Sequence, residues 1–73
     1  MMSDYYTKKG AEAQKKYEEY IQKARHLTEL ANISSDVKFK EVYEFEARWL
    51  YEQARSWQNK ARLYKSVVSS KGA

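Results

Sequence analysis

Asn32-Ile33-Ser34-Ser35-Asp36 lies near the middle of a 73-residue chain that has no Pro and two Gly. Asn, Ser and Asp side chains compete with the helical ladder for backbone hydrogen bonds, so this cluster ends a helix where nothing else nearby does. On both sides Ala, Glu, Lys, Gln, Arg and Leu are abundant, and all favour helix. The pattern predicts a first helix over about 4–31, a turn over 32–35, a second helix over about 36–69 and a frayed tail over 70–73. Ser34 or Ser35 is expected to accept from the exposed amides of the following turn, with Asp36 complementing the positive end of the second helix.

Working outward from the turn, each half carries one apolar stripe with alternating steps of four and three. The first holds Tyr6, Gly10, Ala13, Tyr17, Tyr20, Ala24, Leu27 and Ala31; the second holds Tyr43, Ala47, Leu50, Ala54, Trp57, Ala61, Tyr64 and Val68. That spacing is the seam of a coiled coil or narrow bundle. The expected fold is all-α, an antiparallel two-helix hairpin of coiled-coil type. A turn centred between Ile33 and Ser34 pairs residues whose numbers sum to 67, which sets Tyr6 against Ala61, Gly10 against Trp57 and Tyr20 against Ala47. Rings then meet Gly or Ala, as close-packed helices require. The same register sets Lys23 beside Glu46 and Lys16 beside Gln53. Gly10 costs about 1 kcal/mol relative to Ala inside a helix, which suggests that a large side chain packs over it.

A hairpin of this size covers one face of each helix and no more. Below ~70–80 residues a single core seldom supplies more than ~3–5 kcal/mol without a disulfide, a metal or oligomerisation. With no Cys and one His, disulfides, zinc-thiolate sites and histidine metal pairs are excluded. Association is the remaining route, either as a homodimer that completes a four-helix bundle or by docking on another protein. The expected partner surface is Phe39, Val42, Phe45 and Trp49, displaced from the main stripe of the second helix, with Ile21 and Leu30 from the first. Leu63 and Val67 add a smaller patch further along.

The net charge of +4 is unevenly spread. Residues 1–16 and 53–73, at the termini end of the hairpin, carry nine Lys or Arg and two acids, or +7; residues 17–52, at the turn end, carry five and eight, or −3. Opposite ends favour head-to-tail or antiparallel association. Arg48, Arg55 and Arg62 are seven apart and line one ridge, as do Lys9, Lys16 and Lys23. With Lys60 and Lys65, the arginine ridge is the candidate for phosphate contacts in an alternative reading as a nucleic-acid-binding accessory protein.

Other chemistry is weakly signalled. His26 reads as a surface residue, and Glu18, Glu19, Glu41, Glu44, Glu46 and Glu52 fall mostly outside the inward stripe that a carboxylate-bridged metal site needs. No nucleophile motif or Gly-rich phosphate loop is present. The expectation is a non-enzymatic protein with no catalytic residues, cofactor or metal. The N-terminal MMSDYYTKKGAEAQKK lacks the apolar core of a signal peptide, no run suits a membrane span, and the expected address is cytoplasmic. In outline the layout is similar to secretion needle subunits and their chaperones, to the WXG secreted proteins and to plasmid or phage regulators that dimerise into four-helix bundles. The turn carries neither Trp-x-Gly nor a proline bracket, so the likeness is one of shape. The function expected is a small helical interaction module that self-associates or binds a protein, as an assembly, adaptor or regulatory factor.

Overall fold

The computed structural model describes residues 2–72, with side chains described for 4–69. It is a hairpin of two long antiparallel helices, α1 (Met2–Ile33) and α2 (Val37–Gly72), with no strand among the described residues. At 1.5 Å per residue the 36 residues of α2 span 54 Å, the long dimension of the molecule, whose other extents are 13 and 12 Å. The sequence expects residues 70–73 to fray, whereas the backbone is helical through Gly72. The side chains from Ser70 onward, and Ala73 altogether, lie outside the described residues.

The turn is tighter and later than the sequence suggests. Asn32 and Ile33 belong to α1, and the Ser34 amide donates to the Leu30 carbonyl at 3.0 Å, one further bond of the helical ladder. The capping role falls to Asp36 and not to either serine. The Lys38 amide donates to Asp36 Oδ1 at 2.9 Å, and the Lys40 amide donates to the Asp36 carbonyl at 3.0 Å. These are the two bonds that define an N-cap residue. Ser34 instead donates its hydroxyl to the Asp36 carbonyl at 3.2 Å, which braces the three-residue connection.

Every residue of the two stripes is buried or half-buried. The fully enclosed positions are all alanines: Ala13, Ala24, Ala31, Ala47 and Ala54, each at most 4% exposed. Small residues let the two helices approach closely, while the tyrosines, Leu50 and Trp57 lie half-covered along the edges of contact. No large side chain among the described residues is fully buried.

The register differs from the expected one. A Cβ on Gly10 would stand 3.6 Å from the Cβ of Tyr64, the Tyr6 and Tyr64 rings lie 6.1 Å apart, and Tyr20 meets Trp49 edge-to-face at 6.5 Å. These pairs sum to 74, 70 and 69, all above 67. Moving the turn towards the C-terminus slides α2 along α1, so Tyr64, not Trp57, packs over Gly10 and Tyr6 faces Tyr64, not Ala61. The flanking pairs that depended on the earlier register are lost with it. Lys23 Nζ lies 5.9 Å from the centre of the Tyr20 ring, and among the described residues neither Lys23 with Glu46 nor Lys16 with Gln53 forms an ion pair or hydrogen bond.

The seam and the cap can each be tested by one substitution. Gly10→Ala places its methyl at ordinary van der Waals distance from Tyr64 and removes a helix-interior glycine. It is expected to stabilise the hairpin by roughly 0.5–1 kcal/mol. Asp36→Ala is expected to cost about 0.5–2 kcal/mol, with Asp36→Asn nearly neutral because Asn also caps. Urea unfolding followed by circular dichroism measures both, and a destabilising Gly10→Ala would show that the seam is closed even to a methyl group.

Candidate interaction surface

The apolar residues off the seam are strongly exposed. Phe45 is 70% exposed, Phe39 57%, Val42 51% and Trp49 51%. Phe45, Glu46, Trp49 and Leu50 line one shallow depression on α2. Trp49 meets Tyr20 edge-to-face, and Phe39 stacks on Tyr43 of its own helix at 6.5 Å. Neither contact removes these rings from water. Covering a Phe or Trp fully is worth roughly 1.5–3 kcal/mol per residue, a large share of what a hairpin this small possesses.

Helical spacing sorts the remaining sequence-selected residues onto two flanks. Lys23 shares the Tyr20 ring with Trp49, and Leu30, two turns beyond Lys23, continues the same flank. Ile21 does not join them. It stands two turns before Thr28, which lines a groove on the opposite flank with Arg48, Tyr51 and Arg55. Both Ile21 and Leu30 are half-buried. The exposed patch thus comprises Phe39, Val42, Phe45 and Trp49, bordered by Leu30 and not by Ile21.

The basic residues divide in the same way. Arg48, Arg55, Arg62 and Lys65 are exposed on the Thr28 flank, whereas the Lys60 ammonium sits 4.3 Å from the centre of the Trp57 ring, away from them. Glu44 and Glu52 line the groove that holds Arg48 and Arg55, so acids punctuate the ridge there. Nearer the termini, a second groove lined by Thr7, Gly10, Gln14, Gln58, Arg62 and Lys65 has two cations and no acid. Among the described residues no group of three or more His, Cys, Asp or Glu side chains is placed to hold a metal ion, and no helix is long and apolar enough to cross a membrane.

Leu63, read from the sequence as a smaller patch with Val67, is 66% exposed. Eighteen residues make five full turns of helix, so Leu63 stands at the same rotation as Phe45, and Val67 at that of Trp49. An eighteen-residue repeat is the sequence signal that connects the two patches. No protein-family model matches the chain, and comparison with curated proteins and with solved structures finds no match.

Proposed function

We propose that this chain is a non-enzymatic interaction module that associates with itself or with another protein through the exposed face of α2, with Phe39, Val42, Phe45 and Trp49 as its centre. The observation that carries the reading is the mismatch between a core made of alanines and a surface holding the large side chains. A chain of 8.7 kDa folded compactly exposes about 4,700 Å², while this one exposes 5987 Å². The excess, about 1,300 Å², is that of a rod in which each helix has only one face covered. Association on that face supplies the apolar burial that the hairpin lacks.

The second reading, nucleic-acid binding, is favoured by the acid-free groove holding Arg62 and Lys65. Two features weigh against it: the acids among the arginines, and the Trp57 ring already covered by Lys60. In this reading binding would weaken steeply with salt.

The two readings separate in one copurification experiment. A tagged chain, its Trp49→Glu variant and its Arg62→Glu variant are recovered and the bound material identified by mass spectrometry and nucleic-acid staining. The expected outcome is a protein, either a second copy of this chain or a different one, that Trp49→Glu loses and Arg62→Glu retains. Nucleic acid lost with Arg62→Glu and retained with Trp49→Glu would overturn the interaction-module reading.

A further inference from the structure

The exposed ridge of α2 is a palindrome. Reading along it, Phe45, Trp49, Glu52, Ser56, Lys60, Leu63 and Val67 follow steps of four, three, four, then four, three, four. Ser56 is the centre: 45 and 67, 49 and 63, and 52 and 60 are each equidistant from it. Val67 is half-buried and the other six are exposed. An antiparallel copy of the same ridge, related by a twofold axis at Ser56, sets Phe45 against Val67, Trp49 against Leu63 and Glu52 against Lys60. Each large ring thus meets a smaller aliphatic and each acid a base, while two small serines meet at the axis, where the backbones come closest.

We infer that the occupant of this face is a second copy of the chain, with α2 packed antiparallel on α2 about a twofold axis at Ser56 and α1 outermost in each protomer. The inference rests on the interaction-module reading above and specifies its partner and geometry. Charge on the ridge selects the same orientation: antiparallel pairing sets Glu52 against Lys60, whereas parallel pairing in register sets Glu52 on Glu52 and Lys60 on Lys60.

The chain has no Cys, so single cysteines report without background. Sedimentation from about 1 to about 200 μM is expected to show a monomer–dimer equilibrium, with the dissociation constant raised about 100-fold or more by Trp49→Glu. Ser56→Cys is expected to form an intermolecular disulfide under mild oxidation, since the twofold axis brings the two Cα atoms within the ~4.4–6.8 Å that a disulfide spans. Spin labels on Glu41→Cys are expected about 45 Å apart in the dimer, thirty residues of helix rise. Glu52→Lys alone and Lys60→Glu alone are expected to weaken the dimer by about 3–10-fold, and the double swap to restore it to within about twofold. Helix content by circular dichroism, unchanged in each variant, keeps these results separate from unfolding.

A dimer whose Glu41→Cys labels lie under about 30 Å apart, the turn-to-turn arrangement, overturns the inference. So does a folded monomer throughout the concentration range. In the second case the interaction-module reading stands if a different protein copurifies through Trp49, and falls with the dimer if none does.

Discussion

The rest of the structure depends on how closely the two helices approach. Ala13, Ala24 and Ala31 of α1 and Ala47 and Ala54 of α2 are the side chains enclosed between them. A seam of methyl groups brings the backbones together and gains dispersion contacts, but leaves no volume in which a Leu, Phe or Trp can be fully enclosed. The larger residues are displaced outward by geometry: the stripe tyrosines to the edges of the seam, and Phe45, Trp49 and Leu63 to the surface. What looks like a poorly hidden core is the direct result of a very narrow one.

Much of this is legible in the sequence because the period of a helix is rigid. Every residue assigned to the two stripes is buried or half-buried, and a break is read within two residues of the observed turn. The register is less legible, for a reason internal to the stripes. Both repeat small and aromatic residues at heptad spacing, so sliding one past the other exchanges Ala for Ala or Trp for Tyr at little cost. Gly10 meets an aromatic residue in either alignment. What decides between alignments is the length of α1, and that is settled by the competition among Ser34, Ser35 and Asp36 to cap α2. All three are competent caps; Asp36 prevails once α1 continues through Ile33, leaving the serines inside a connection only three residues long.

The candidate surface is legible by type but only partly by location. Phe39, Val42, Phe45 and Trp49 lie where their offset from the main stripe puts them. Ile21 is separated from them because α1 has two flanks and a linear reading does not show which one meets α2 on a given side; the Tyr20–Trp49 and Thr28–Arg48 neighbourhoods supply that information. The same distinction divides Lys60 from Arg48, Arg55, Arg62 and Lys65. Charge summed over each end of the rod conceals this, since the arginines and the exposed rings occupy different flanks of the same helix.

The three-residue connection also orders the events of folding. Tyr20 and Trp49 are separated by 29 residues of chain and Tyr6 and Tyr64 by 58, so each step away from the turn closes a longer loop unless the inner layers have already formed. The route of least entropy loss is a zipper that starts at the Asp36 cap and runs outward, with no proline in the chain to delay it. By the same loop-closure argument, the layer that depends most on the others already being formed is Tyr6 with Tyr64, and the layer that depends least is Tyr20 with Trp49.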